Sequence, residues 1–415
     1  MSIYQKASLV QIPSGYKAAD DKLYSVVPAN GDGDFTVSVD ADATRVNADG
    51  LIENVVADQA RLNYNFIDGV VQPDPHLLLE PTRRNIVDYS EEFNQWTAVS
   101  SATVTTNQGT SPDGSNTSDK LTSGATNSRV NKTFSYTNNS TMVFSVFVKN
   151  IDATNIKIGI SDNITGVCNA TFTFSTESIS AANGGSWTNT SASFVDFGNG
   201  WYRLILISTK GAGSNLAPRI EFTESGKNVL VWGAQLEDNG SFGSVDYPTS
   251  YIPTEGSAVT RTEDNVYNGG TDSVFNLTEG TLFFDVEVFR PIDDAQRLIS
   301  LSDGGSFNRI LAIPKDTENQ MRYFCEIGGS QDDVTLAFSY NTRQKIAIAY
   351  GGGNIKIYRN GSQQSSRTSG TTFTDLDRIN FSDYDNNPKS TAKIYQTMYF
   401  NEKLSDSELA TITTL

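Results

Sequence analysis

The chain is poor in the side chains that most enzymes lean on. It has one histidine, His76, and two cysteines, Cys168 and Cys325, in 415 residues. A Ser–His–Asp triad, a Cys–His pair or a zinc protease site would all have to use His76, which sits in the proline-rich stretch "QPDPHLLLE" and reads as an ordinary loop histidine. The two cysteines lie in what read as different domains, so they are expected as buried free thiols rather than a disulfide or a zinc site. Positive charge is scarce: 31 Lys and Arg face 48 Asp and Glu, a net charge of −17. Such a surface repels phosphate backbones, which argues against nucleic acid as a partner. No apolar run reaches the length of a membrane span, so no membrane insertion is expected. The opening "MSIYQKASLVQIPSGYKAADDK" lacks an apolar core of signal-peptide length, and export by that route is not indicated. No phosphate-binding glycine loop stands between a strand and a helix; "GGGNIKIY" has its glycines ahead of a strand. No period of 20–50 residues marks a solenoid.

What is abundant is the chemistry of exposed turns and pleated strands. Hydrophobic residues are 37% and charged residues 19%, with Asn, Thr, Ser, Gly and Asp filling much of the rest. Three zones follow. Residues 1–88 are sparse in apolar side chains, though "FTVSVDA" alternates as a half-buried strand does. This zone is predicted to order best against another surface or against copies of itself, as an N-terminal attachment and oligomerisation region. Its turn acids Asp32, Asp34, Asp40 and Asp42 do not meet the D-x-D-x-D-G calcium pattern and read as solvated carboxylates; calcium is the sole ion worth considering, and no cofactor is expected.

Residues 89–258 carry short alternating segments such as "TMVFSVFVKN", "NATFTFST", "WYRLILIST" and "NVLVWGAQLE", punctuated by Gly and Asn. They predict an antiparallel sandwich, a jelly roll. Residues 259–415 do the same with "GTLFFDVEVF", "MRYFCEI" and "QKIAIAY". Asn360-Gly361 predicts a two-residue hairpin, because both positions favour φ > 0. Ser405 and Glu408 in "SDSE" form a capping box ahead of a short helix. The fold class is therefore all-β: two tandem antiparallel β-sandwiches after an extended N-terminal segment.

The third zone resembles the concanavalin A-like (laminin-G-like) sandwiches through "IYRNGS" and "KIYQTMYFNEKLSDSELATI". That family includes lectins, glycosidases and structural domains. Its glycosidase branch uses closely spaced acids on one strand; Asp285 and Glu287 in "FFDVEVF" have that spacing but lack a third acid. The first two zones resemble tailed-bacteriophage virion proteins through "LLLEPTRRNIVDYSEEFNQW", "SPDGSNTSDKL", "GNGWYRL" and "VWGAQLEDNGSFGSVDYPTSYIPTEGSAVTRTEDN". In that family a strap of this kind precedes a carbohydrate-binding-module-like jelly roll; "TRRN" departs from it where a Thr more often follows the first arginine.

The resemblance implies a head fibre, tail fibre or capsid decoration: a homotrimer at the virion surface, made in the host cytoplasm, that docks on other virion proteins through its N-terminal region. Glu80, Pro81, Arg83 and Arg84 then read as a structural strap rather than an active site, with Glu80 paired to Arg83 or Arg84, and no catalytic residue is assigned. Leu77–Leu79 are expected to start a strand under the jelly roll, Phe93 and Trp96 to enter its core, and Ser250–Arg261 to form an extended exit strap.

Two alternatives stand beside this reading. One is a receptor-binding protein for host surface glycan, using exposed aromatics that stack on sugar rings plus polar neighbours: Trp96, Trp187, Tyr202, Tyr340, Asp383, Tyr384, Asp385 and Asn386. The other is a polysaccharide depolymerase, which would need paired carboxylates.

Overall fold

The computed structural model describes residues 3–13, 22–238, 247–290, 296–315, 319–385 and 391–415. It is built almost wholly of antiparallel strands, with one short α-helix at Asp406–Ile412 among the described residues. Two β-sandwiches are present, but they are not simply in tandem. One is inserted between two separated parts of the other.

The inserted sandwich has a sheet centred on the strands Asn228–Asp238, Thr141–Asn150 and Trp201–Thr209, which pair in that order. A second sheet runs through Asn215–Phe222, Asn155–Ser161 and Val167–Thr173. Strict alternation explains how the sheets meet. Cys168, Ala170 and Phe172 of one strand point inward, as do Met142, Phe144, Val146 and Val148 of the facing sheet. Phe93 and Trp96 join this core as expected.

Thr141–Asn150 is buried on its outer face too. Val143, Ser145 and Phe147 point away from the core, and something must cover them. Ile52 from the N-terminal zone does part of this, packing with Phe147, Trp201, Trp232 and Tyr251.

The second sandwich uses both ends of the chain. The strands Glu279–Val288 and Arg343–Gly351 pair along their length, and Ala392–Phe400 pairs on the other side of the former. The free edge of Ala392–Phe400 is then closed by N-terminal strands. Ala7–Gln11 pairs with Phe400 to Thr397, and His76–Leu79 pairs with Ala392 to Ile394. Leu9, Leu23, Phe35, Val37, Leu77 and Leu79 lie in the same core as Leu282, Ile346 and Tyr399. Phe35 stacks on Phe381 with centroids 5.1 Å apart.

The surface that orders the first zone is that of its own chain's sandwiches. One expectation is corrected by this arrangement. Leu77–Leu79 start a strand of the C-terminal sandwich, not one under the jelly roll. The physical reason is edge closure: an unpaired edge on Ala392–Phe400 would leave backbone groups and apolar side chains exposed.

Local expectations with strong turn chemistry fare well. Asn360 and Gly361 both have positive φ, 48° and 79°, and join Asn354–Arg359 to Ser362–Thr368. The helix opens on the reciprocal capping box of Ser405 and Glu408. Cys168 and Cys325 are buried and unpaired, in separate cores.

Candidate functional site

The chain leaves the C-terminal sandwich and returns to it at one joint. Arg83–Asn85 and Val259–Arg261 lie side by side as antiparallel strands, with Arg83 opposite Arg261. Around them the strap motifs converge. Glu80 accepts from Arg61 Nη1 and Arg261 Nη1, each at 2.8 Å, and from Ser250 through its backbone N–H at 2.9 Å and its hydroxyl at 2.7 Å. Asp264 accepts from Arg61 and from the Glu80 backbone N–H. Asn85 donates to the Ala234 and Ile252 carbonyls and accepts from the Leu236 N–H at 3.1 Å. Gln235 accepts from the Ile252 N–H, and Glu237 accepts twice from Thr249.

Glu80 is thus a structural carboxylate, but its partners are Arg61 and Arg261 rather than Arg83 or Arg84. Arg83 is buried and donates to the Thr82 carbonyl, whereas Arg84 is exposed. The reason is strand alternation: Arg84 points to the opposite side from its neighbours Arg83 and Asn85. Burial pushes the Glu80 carboxyl up, but the two guanidinium groups outweigh it and hold the group at about 2. A carboxylate so held cannot deliver a proton near neutral pH.

Beside the joint lies a cleft of about 410 Å³ between the two sandwiches. One wall is the outer face of the inserted sandwich, with Ser193, Val195, Phe197 and Arg203. A second is the N-terminal zone, with Asn63, Tyr64, Asn65 and Phe66. Tyr247 to Tyr251 of the exit strap and Phe289 and Lys393 of the C-terminal sandwich complete it. Aromatic pairs frame it: Phe66 against Phe197 at 4.6 Å, and Tyr247 stacked on Phe289 at 4.6 Å. Alternation along "GNGWYRL" places Tyr202 and Leu204 toward the core and Arg203 toward the cleft.

His76 stands behind this wall. It is no loop residue: it begins the strand His76–Leu79, is fully buried and packs against Tyr395 with centroids 5.5 Å apart. Burial, with Lys393 nearby, pushes its pKa well below the usual value. The acids singled out for a glycosidase role are both paired. Asp285 takes a bidentate bond from Arg343, 2.8 Å on each oxygen, and Glu287 meets Lys393 at 3.1 Å.

Among the described residues anticipated for sugar contact, Trp96, Trp187 and Tyr202 lie in the inserted sandwich, apart from Tyr340 and Asp383–Asp385 of the other, and none of them lines the cleft. Trp96 and Trp187 are core residues, 5% and 1% exposed, and are not available for stacking. Tyr202 packs among Phe172, Phe174 and Phe194, with its hydroxyl on Glu177 at 3.0 Å. The Tyr340 hydroxyl is tied to the backbone of Lys315 and Gln320, beside a smaller hollow of about 260 Å³. Asp383 meets Arg297 at 3.4 Å, Tyr384 lies under the Arg309 guanidinium at 4.5 Å, and Asp385 is exposed. Asn386 lies outside the described residues.

Of the turn acids considered for calcium, Asp34 accepts from Ser25 and Asp40 from Thr262. No cluster of three or more metal-ligating side chains occurs among the described residues. No described helix is long and apolar enough to cross a membrane.

No protein-family model matches the chain, and no curated protein matches it either. Among solved structures it is similar to the carbohydrate-binding module CBM40 of the Ruminococcus gnavus IT-sialidase, a structure with bound alpha2,3 sialyllactose. That match has 15% identity over 35% of this chain and 88% of the other, at a TM-score of 0.31. A mutant of the NanB sialidase from Streptococcus pneumoniae matches with 15% identity over 34% of this chain and 25% of that one, TM-score 0.30. The binding domain of botulinum neurotoxin serotype D matches with 14% identity over 36% and 40%, TM-score 0.29. The chain therefore spans less than half the length of the latter two. These are distant likenesses that say nothing about ligand or origin, and the phage resemblance of the straps has no counterpart in them.

Proposed function

We propose that the chain is a non-catalytic adhesion protein of a tailed-phage virion, a fibre or decoration that displays two β-sandwiches held rigidly to each other. The observation that carries this reading is the joint. Residues scattered over the phage-like motifs, namely Glu80, Asn85, Gln235, Glu237, Ser250 and Arg261, meet in one buried network. Such a network supports reading the motifs as a structural device that fixes a displayed unit. Three acids that the motifs single out are engaged: Glu80 by two arginines, Asp285 by Arg343 and Glu287 by Lys393. Within the N-terminal zone the exposed apolar residues Val56, Ile67 and Val70 are left for contact with other virion proteins. The assembled form is a homotrimer at the particle surface, built after synthesis in the host cytoplasm.

A second reading, recognition of host surface glycan, is favoured by the cleft, whose aromatic frame and amide groups have the chemistry that sugar sites use. Immunogold microscopy of purified particles with an antibody to this chain tests the first. Gold on the head or the tail is the expected result. Unlabelled particles from a productive infection, with an antibody shown to react, would overturn it. An assay for reducing ends released from host polysaccharide should stay flat; a rise above a buffer control would return the depolymerase reading.

A further inference from the structure

The joint and the cleft share an electrostatic imbalance. Four guanidinium groups are buried there, on Arg61, Arg83, Arg203 and Arg261, against the three carboxylates Glu80, Glu237 and Asp264. Arg61 and Arg261 share Glu80 and Asp264. Arg203 is different. It is 8% exposed, it donates to the Ser145 hydroxyl at 3.0 Å and the Thr249 carbonyl at 2.9 Å, and it lies over the Phe147 ring. No carboxylate lies within ion-pair distance of it among the described residues, yet it lines the cleft. Removing a cation from water without an anion is costly, so the site favours whatever negative charge can reach it. A second group points the same way. Tyr247 lines the same cleft and its ring stacks on Phe289; its hydroxyl is buried behind the wall and has no hydrogen-bond partner among the described residues. A donor kept without an acceptor also favours an arriving anion.

We propose that this cleft binds an acidic saccharide, a pyranose bearing a carboxylate, with the carboxylate at Arg203 and Tyr247 and the sugar ring against the aromatic frame. The volume of about 410 Å³ suits one or two sugar units. The aromatic faces supply the stacking surface for the ring C–H bonds, and Asn65 an amide for its hydroxyls, whereas the Asn63 amide is held by Val46, Tyr64 and His76. The chain's overall charge of −17 disfavours such a ligand over most of the surface, which gives a recess holding a buried cation the advantage. The inference rests on the reading of the chain as a glycan-recognising adhesin and names the ligand class of that reading.

The test is titration calorimetry on the full chain with three probes: a hexuronate tetramer, a sialylated trisaccharide and a neutral glucose tetramer. At least one acidic probe is expected to bind, at least roughly tenfold more tightly than the neutral one, since a hydrogen bond to a charged group is worth more than a neutral one. The two acidic arms separate hexuronate from sialic acid as the source of the carboxylate. Tyr247→Phe removes only a hydroxyl that has no partner among the described residues, so it should fold, and it should weaken acidic binding by about threefold to tenfold. Ser193→Trp, at an exposed position on the cleft wall, should abolish binding by filling the space. Binding that survives Ser193→Trp, or acidic and neutral probes that bind alike, would overturn the proposal. So would a failure of both acidic probes. A protein that binds only the neutral probe would remain a glycan-recognising adhesin while this inference falls; gold-negative particles would remove the virion setting and leave the cleft chemistry standing.

Discussion

Two buried side chains, Glu80 in the joint and His76 behind the cleft wall, each give a prediction with a sign. Glu80 lies between Arg61 and Arg261. Replacing it by Gln leaves two buried cations short of an anion, a change that should cost roughly 3–5 kcal/mol in urea unfolding, against within about 0.5 kcal/mol for Arg84→Ala at its exposed neighbour. Equal effects of the two would mean that the ion pairs contribute little. Because the folded Glu80 is held at about 2, below its ordinary 4.5, its contribution is complete above pH 4.5. It is lost as pH falls from there toward 2. His76 acts in a higher window. Its pKa is depressed by burial below the ordinary 6.5, so the folded state holds it neutral and the unfolded state takes up the proton. Stability from this group is complete above pH 6.5 and declines as pH falls below it. His76→Gln should flatten the slope of unfolding free energy between about pH 6.5 and 5 relative to the parent. An unchanged slope would place the titration elsewhere. None of this pairing was legible from the sequence near Glu80, because Arg61 lies 19 residues before it and Arg261 lies 181 after it. The double arginine Arg83-Arg84 was the nearer and misleading candidate.

At the scale of elements, the sequence is most informative where backbone and side chain agree. Thr141–Asn150 and Trp201–Thr209 have the bounds that alternation predicts, and the Asn360-Gly361 turn is where its φ requirement places it. Strands such as Ser330–Ala337 and Thr188–Asp196 escape notice because they are largely exposed and polar, so no apolar period marks them. The N-terminal strands are too short to announce a partner: Ala7–Gln11 and His76–Leu79 have five and four residues, and only pairing with Ala392–Phe400 gives them meaning. Removal of residues 1–75 should therefore not yield soluble sandwiches. It strips Leu9, Leu23, Phe35 and Val37 from the C-terminal core, and circular dichroism and proteolysis should report an unfolded or aggregated C-terminal part. A well-folded truncation would show that the edge is dispensable. Loss of the helix cap is a milder case: Ser405→Ala should cost about 1 kcal/mol without changing the fold, measured by the urea midpoint.

For the whole molecule, the important consequence is that neither sandwich is finished without the other. The inserted sandwich leaves Phe147, Trp201, Trp232 and Tyr251 on its outer face, and Ile52 from the other body packs on them. The same N-terminal zone that supplies Ile52 also supplies Leu77 and Leu79 to the C-terminal core, so one stretch of chain is shared by both. The buried network of Glu80, Arg61, Arg261 and Asp264 stands where the chain crosses between them, and Ser250 of the exit strap is bonded into it through Glu80. Coupling of this kind should make thermal unfolding a single calorimetric transition, because opening either body strips the other of buried contacts. Glu80→Gln removes the anion that holds the crossing together while leaving both cores intact. It should split that transition in two, with the inserted sandwich, Ile86 to Leu236, and the C-terminal sandwich melting apart. Two well-separated transitions in the parent, with Glu80→Gln moving only one of them, would mean that the bodies fold independently and that the joint is a tether. A rigid unit is what a cleft between two sandwiches requires to keep one shape, since its walls come from both, and independent melting would also predict that its width varies from molecule to molecule.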